Sequence, residues 1–111
     1  MDHKLKLMVV DDSPLFRTWL IRSLSEDDRF QVVGYAINAF DAQEKIPKLQ
    51  PDMLTLDIEM PGITGIEAAQ RIREKDKDCC IIFLTAFDEF SYAKKAITIR
   101  ALDYLLKPYD E

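Results

Sequence analysis

The chain has 111 residues and a formal net charge of −5, with 48% of its residues hydrophobic and 32% charged. This length and composition predict one globular domain, 1–111, with a core of its own, and they exclude a disordered chain. The acidic balance argues against direct nucleic-acid contact from this segment, because phosphate contacts require a basic surface.

Neither a membrane span nor a secretory signal is predicted. The longest apolar runs are far shorter than the roughly 18 residues that cross a bilayer. The N-terminal sequence MDHKLKLMVV contains no small-residue cleavage site. We therefore expect a cytoplasmic protein without membrane contact.

Residues that form disulfides or bind zinc are scarce. Cys79 and Cys80 are the two cysteines. Neighbours in a strand point to opposite faces, so we expect buried thiols rather than a disulfide or a metal site. His3 is the single histidine, which excludes a zinc site or a catalytic set built on several imidazoles.

Apolar runs alternate with amphipathic stretches along the chain. Short apolar runs bounded by turn residues predict strands, and apolar residues at a spacing of three or four predict helices. The strand candidates are Leu5–Val10, Phe30–Ala36, 53–56, 79–84 and 101–106.

The first two predicted helices have capping signals where they begin. Ser13-Pro14 supplies an N-cap and a first-turn proline, and Asn38 can cap the second helix. Pro47 should end the second helix early, because proline has no backbone N–H to donate.

The third helix follows the third strand, where Thr64 and Glu67 form a capping-box pattern. A fourth helix is predicted after Asp88. All four helices carry apolar stripes, which are typical of core packing, and we assign them no chemistry. The stripes consist of Phe16, Leu20 and Leu24; Ala39, Ala42 and Ile46; Ile66, Ala69 and Ile72; and Phe90, Ala93 and Ile97.

Strict alternation of strands and helices predicts a doubly wound α/β domain. Strands that are apolar through most of their length indicate a parallel sheet covered on both faces, joined by right-handed crossovers. The sequence contains no internal repeat or low-complexity linker that would indicate a second domain.

Polar residues gather where four of the predicted strands end. Asp11 and Asp12 follow the first strand, Asp57 the third, Thr85 the fourth and Lys107 the fifth. Each alone has an ordinary explanation as a cap, turn or strand residue. In an open parallel sheet, however, ligands bind outside the carboxyl ends of the strands, so the combination predicts a site.

The residue types predict a magnesium site that receives a phosphoryl group. Three carboxylates brought close together require a proton or a cation between them. Oxygen-only ligands favour Mg²⁺, which completes its shell with waters and phosphate oxygens. The Lys107 ammonium and the Thr85 hydroxyl can contact phosphoryl oxygens, and one carboxylate can serve as the nucleophile.

The chain resembles the response-regulator receiver domain of two-component signalling. The resemblance rests on VVDDSP, LTLDIEMPGITG, FLTAF and DYLLKP, which occur in the family's order and spacing along nearly the whole chain. It implies a flavodoxin-like fold with a five-stranded parallel sheet of order 2-1-3-4-5, the strand order typical of receivers.

The resemblance also implies roles for the residues at the strand ends. Asp57 matches the aspartate that takes a phosphoryl group from a phosphohistidine on a sensor histidine kinase. Asp11 and Asp12 match the acidic pair that holds Mg²⁺, aided by Asp57 and the backbone carbonyl of Glu59. Asp57 would thus be displayed at the strand end in order to be phosphorylated.

Other matched positions concern the response to phosphorylation. Lys107 matches the family's lysine, Thr85 its switch hydroxyl, and Tyr104 the aromatic residue that changes rotamer as the hydroxyl moves. The face built from the fourth helix and fifth strand would then change shape and regulate an output, commonly transcription. Glu59 and Phe87 occupy positions that in this family tune the lifetime of the phosphoryl group.

Two alternatives remain beside a phosphoacceptor that catalyses only its own phosphorylation and dephosphorylation. One is a receiver-like interaction module that works without phosphate. The other is an aspartyl-phosphate hydrolase with its nucleophile after the first strand, although such enzymes usually have acids two apart there and this chain has adjacent Asp11 and Asp12.

The end of the chain departs from the family pattern. The family's fold ends with a fifth helix beside the first, whereas this chain stops at Glu111, three residues beyond Pro108. We expect that the final helix is missing and that the chain is C-terminally truncated. Apolar surface exposed there should promote association, such as a homodimer, or lower the stability of the fold.

Overall fold

The structure is a computed structural model that describes residues 4–58, 63–76, 78–85 and 103–106. As far as β4, the elements in these residues follow the alternation of strands and helices that the sequence predicts. They are β1 (Leu5–Val10), α1 (Pro14–Ser25), β2 (Phe30–Ala36), α2 (Ala39–Leu49), β3 (Met53–Asp57), α3 (Gly65–Lys75), β4 (Cys80–Thr85) and β5 (Asp103–Leu106).

The five strands form one parallel sheet of order β2-β1-β3-β4-β5. This confirms the predicted flavodoxin-like, doubly wound α/β fold. β1 and β3 lie in the middle of the sheet, and their residues are almost continuously buried. Strands covered on both faces need apolar side chains at successive positions, which explains the runs LKLMVV and MLTLD.

The core lies on both faces of the sheet. The face covered by α2 and α3 holds the larger cluster, with Met8, Leu54 and Phe83 fully buried. On the other face Leu7 and Val9 pack against α1, chiefly through Leu20 and Leu24. Burying one such side chain fully contributes roughly 1.5–3 kcal/mol. The predicted α1 stripe therefore faces the core at Leu20 and Leu24, whereas the Phe16 ring lies 5.6 Å from that of Trp19.

The three predicted N-caps are confirmed. The side chains of Ser13, Asn38 and Thr64 accept hydrogen bonds from backbone N–H groups of the first turns of α1, α2 and α3. The shortest of these bonds, 2.8 Å, runs from the N–H of Asp41 to Oδ1 of Asn38. These caps fix where each helix begins after the strand that precedes it.

The prediction that Pro47 ends the second helix early is wrong. α2 continues through Pro47 to Leu49. A proline in the last turn removes only one N–H from the helical ladder, and burial of Ala39 and Ala42 holds the rest of the helix against the sheet. The helix ends instead at Gln50, which adopts a left-handed φ of 49° and donates its N–H to the carbonyl of Ile46 at 2.8 Å.

Several sequence predictions fall outside the described residues. They concern His3, the fourth helix after Asp88, and the first two residues of the predicted fifth strand. Within the described part, the longest helix has 12 residues, and none of the helices meets the length and hydropathy that a membrane span requires.

Candidate functional site

Asp11 and Asp57 lie side by side at the carboxyl end of the sheet. Val10 pairs with Leu56 in the register of β1 and β3. The next residue of each chain segment is therefore an aspartate, one directly after β1 and one at the end of β3. The parallel order that places β1 beside β3 thus joins residues that are 46 positions apart.

Three carboxylates converge at this place. One carboxylate oxygen from each of Asp11, Asp12 and Asp57 lies within 4.8 Å of those of the other two. Asp11 and Asp57 are each only 1% exposed, whereas Asp12 is at least partly exposed. Two unit charges at this separation repel by about 3.5 kcal/mol at an effective dielectric constant of about 20. The cluster is therefore a place where a cation would be strongly favoured.

The donor set fits a hard divalent cation. All three side chains offer oxygen, and among the described residues neither an imidazole nor a thiolate accompanies them in the cluster. Carboxylate oxygens suit Mg²⁺ and Ca²⁺, whereas zinc and copper sites usually include histidine or cysteine. Asp12 is the most exposed of the three, so the cluster reaches the surface on its side.

The Asp11 backbone and side chain are held from several directions. Its N–H donates to the carbonyl of Ala36 at 3.0 Å, which ties it to the end of β2. Its Oδ1 accepts from the N–H of Ser13 at 2.9 Å. Its carbonyl accepts from the guanidinium of Arg17 at 2.9 Å. These bonds fix the segment that carries two of the three carboxylates.

Gly65, the first residue of α3, packs directly against the backbone that follows β3. Its N–H donates to the carbonyl of Ile58 at 2.8 Å. A Cβ added at Gly65 would collide with the carbonyl oxygen of Asp57 and would lie 2.7 Å from the Cα of Ile58. Only a glycine permits this approach, so Gly65 sets the distance between α3 and Asp57.

The structure places the other predicted site residues only in part. Thr85 is the last residue of β4 and pairs with Leu106, and Tyr104 of β5 pairs with Phe83. Thr85 therefore lies at the carboxyl end of the sheet, where the acids also lie. Glu59, Lys107 and Phe87 are outside the described residues.

Two marked pKa shifts belong to residues at the opposite, amino end of the sheet. Hydrogen bonds from Arg29 lower the pKa of Asp27 to about 2. Burial, followed by the nearby charge of Asp76, raises the pKa of the Cys79 thiol to about 12. Cys79 and Cys80 are free thiols. The predicted burial is confirmed for Cys79, while Cys80 is partly exposed.

Sequence reasoning missed two features that shape the site. Arg17 was not singled out, although its bond to the Asp11 carbonyl anchors the acidic segment. Gly65 lies between Thr64 and Glu67, the two residues of the capping-box pattern, and that pattern does not indicate its contact with the backbone after β3. Its position directly after the cap, eight residues past Asp57, is a signal for close helix-to-strand packing.

Comparison with known proteins agrees with this fold. The family model described as "Response regulator receiver domain" matches residues 7–111. The chain is 45% identical over 107 residues to the transcriptional regulatory protein BtsR of Escherichia coli K12, covering 96% of this chain and 44% of that protein. It thus spans less than half the length of that relative.

Solved structures are similarly close. The response regulator domain of Thermotoga maritima CheB superposes with a TM-score of 0.89 at 33% identity, covering 96% of this chain and 81% of that one. A Borrelia burgdorferi structure described as a CheX-CheY-BeF3-Mg²⁺ complex gives a TM-score of 0.84 at 27% identity, covering 96% and 80%. With the acid cluster at the end of a 2-1-3-4-5 sheet and a family match over nearly its whole length, the chain belongs to the response regulator receiver domain family.

Proposed function

We propose that this domain is the phosphoacceptor of a two-component system, with Asp57 taking a phosphoryl group from a phosphohistidine of a sensor histidine kinase. The observation that carries the proposal is the convergence of Asp11, Asp12 and Asp57 at the carboxyl end of the sheet. Asp57 is the last residue of β3 and lies beside Asp11, so it is the one acid of the three that belongs to a strand of the sheet.

Asp11, Asp12 and Asp57, together with the backbone carbonyl of Glu59, would hold Mg²⁺. The three oxygen donors within 4.8 Å of one another support this assignment. So does the similarity to a protein whose structure is described as a complex with BeF3 and Mg²⁺. When bound, Mg²⁺ supplies positive charge against the phosphoryl oxygens and the carboxylates.

The chemical step needs little beyond position and charge. An ionised oxygen of Asp57 attacks phosphorus and forms the new P–O bond. The P–N bond to the imidazole breaks, and its electron pair stays on the nitrogen. Lys107 pairs with the transferred group, and the Thr85 hydroxyl donates to one of its oxygens. The domain would therefore catalyse its own phosphorylation and dephosphorylation without turning over an external metabolite.

The phosphoryl group would act as a switch by drawing Thr85 toward it and letting Tyr104 turn inward. The face of the fourth helix and fifth strand would then regulate an output. Similarity to a transcriptional regulatory protein supports control of transcription, exerted by a segment other than this domain, and a cytoplasmic location. Association with a second copy is part of the same proposal.

The test is phosphorylation by a small acyl-phosphate donor in the presence of Mg²⁺. We expect a hydroxylamine-labile adduct on the wild-type chain and none on Asp57→Ala. Asp78→Ala is the matched control, since Asp78 is an exposed acid at the other end of the sheet. Failure of the folded wild-type chain to form an adduct would favour an interaction module that works without phosphate. Donor turnover that survives Asp57→Ala but not Asp11→Ala would favour a hydrolase.

A further inference from the structure

Arg17 makes two contacts that together fix its guanidinium. One Nη atom donates to the carbonyl of Asp11 at 2.9 Å. The guanidinium carbon lies 4.7 Å from the centroid of the Tyr35 ring. A planar guanidinium can donate in its plane while its face stacks on the ring, whereas an ammonium has no planar face to stack. Arg17 of α1 therefore contacts both the end of β1 and the edge strand β2.

Tyr35 is itself held in place from α2. The ammonium of Lys45 donates to the Tyr35 carbonyl at 2.8 Å and lies 5.1 Å from the centroid of the same ring. Lys45 also pairs with Asp41 at 3.3 Å, and Asp41 accepts from the N–H of Ile37 at 3.1 Å. The platform on which Arg17 stacks is thus anchored to a helix on the other face of the sheet.

The bond to the Asp11 carbonyl bears directly on the acid cluster. That carbonyl belongs to the peptide that joins Asp11 to Asp12, and a peptide unit is planar. Fixing its oxygen orients the plane, which contains the Cα atoms of both Asp11 and Asp12 and so helps to place both residues. Two of the three carboxylates therefore depend on the orientation that Arg17 imposes.

We propose that Arg17, stacked on Tyr35, is a positioning residue that sets the Mg²⁺ affinity of the Asp11, Asp12 and Asp57 cluster. The inference rests on the proposed function. Orientation and charge act in opposite senses here: the fixed peptide favours cation binding, whereas the guanidinium charge beside Asp11 opposes it. Residues that hold a metal ligand from behind typically change metal affinity by about 10–100-fold when they are mutated. The orientation effect therefore dominates.

The test is calorimetric titration of the folded chain with MgCl₂. We expect Arg17→Met to weaken Mg²⁺ binding by about tenfold. Arg22→Met is the matched control, since Arg22 is an exposed arginine in the last turn of the same helix. It removes the same charge from α1 and should leave the dissociation constant nearly unchanged. Arg17→Lys keeps the charge but loses the stacked fork, so it should behave like Arg17→Met.

The Tyr35 pair tests the same step through a second residue. Tyr35→Leu removes the platform and should weaken Mg²⁺ binding several-fold, whereas Tyr35→Phe keeps the ring and should bind like the wild-type chain. Unfolding in EDTA is followed for each variant, because a purely structural role changes the unfolding midpoint without changing the affinity of the folded fraction. This pair decides the outcome if Arg17→Met does not fold.

The outcomes are distinct. If the wild-type chain binds Mg²⁺ and Arg17→Met binds it as tightly as Arg22→Met does, or if Tyr35→Leu matches Tyr35→Phe, the inference is wrong while the proposed function stands. If the folded wild-type chain binds no Mg²⁺, the magnesium-dependent function fails and the inference fails with it.

Discussion

Gly65 shows how the absence of a side chain lets a helix pack directly beside the backbone of Asp57. Alanine normally favours a helix over glycine by about 1 kcal/mol. Gly65→Ala should nevertheless destabilise the fold by about 1–3 kcal/mol, because the new methyl group meets the backbone of Asp57 and Ile58. It should also slow phosphorylation of Asp57. Urea unfolding and the adduct assay measure the two effects.

Gly34→Ala is the matched control for this variant. Its Cβ would meet only the flexible end of Leu49, 2.8 Å away, which can move aside. We expect a smaller loss of stability and an unchanged phosphorylation rate. Wild-type phosphorylation in folded Gly65→Ala would show that the close contact does not position Asp57.

The two adjacent cysteines should differ in reactivity. The thiolate is the reactive form, and burial raises the pKa of Cys79 to about 12, so almost none ionises near pH 8 in the folded chain. With Cys80→Ser, which leaves Cys79, alkylation should be slow. With Cys79→Ser, which leaves the partly exposed Cys80, it should be faster. The labelling rates should converge in denaturant, and equal rates in the folded state would contradict the prediction.

Thr55 carries a hydroxyl whose burial is a cost. The residue is 6% exposed, and its Oγ1 is buried without a hydrogen-bond partner among the described residues. Thr55→Val keeps the shape and removes the hydroxyl, so we expect about 1 kcal/mol of added stability in urea unfolding. Thr18→Val, at an exposed position of α1, should change stability by less. A clear loss in Thr55→Val would mean that the hydroxyl stabilises the fold.

At the scale of the element, the N-cap of α2 offers a clean measurement. Asn38→Ala removes the acceptor for the Asp41 N–H and should cost about 1 kcal/mol of stability. Asn38→Ser keeps an acceptor at the same position and should retain most of the wild-type stability. The comparison uses unfolding midpoints, and equal losses in both variants would show that the cap bond itself contributes little.

Strand and helix starts could be predicted because their causes are local. Buried strands such as β1 read as continuous apolar runs, and caps such as Ser13 precede their helices directly. The end of α2 could not be predicted in the same way. Its continuation past Pro47 depends on packing against the sheet, and its stop depends on a left-handed conformation at Gln50, which that residue type does not signal.

At the scale of the whole molecule, the acid cluster should make stability depend on Mg²⁺. The order of stability of the wild-type chain and Asp12→Asn should reverse between EDTA and Mg²⁺. In EDTA, Asp12→Asn removes one of three repelling charges and should be more stable than the wild-type chain. In saturating Mg²⁺ the order should reverse, because a ligand at 100 times its dissociation constant adds about 2.7 kcal/mol to the chain that binds it. Thermal unfolding of both chains in both buffers measures this.

The control for the inversion is Asp28→Asn, an exposed acid in the turn before β2. Its stability relative to the wild-type chain should be the same in EDTA and in Mg²⁺. If the stability of Asp12→Asn relative to the wild-type chain is also the same in both buffers, the three carboxylates do not act as a common cation site.

The site could be predicted as far as topology determines it. Parallel strands bring Asp11 and Asp57 to one end of the sheet wherever their side chains point, so the alternating pattern was sufficient. The Arg17 contact depends on the path of a long side chain and on Tyr35 being available beneath it. Nothing in the spacing of these residues indicates that they meet.

The Lys45 contact also affects the outer side of β2. The Ala36 carbonyl accepts a hydrogen bond from the Asp11 N–H and so faces β1. The preceding carbonyl, that of Tyr35, faces away from the sheet and accepts a hydrogen bond from Lys45. An unfilled acceptor on a terminal strand invites another chain to add by β-augmentation, and a lysine placed there discourages such aggregation. Any self-association of this domain should therefore not proceed by pairing of another strand with β2.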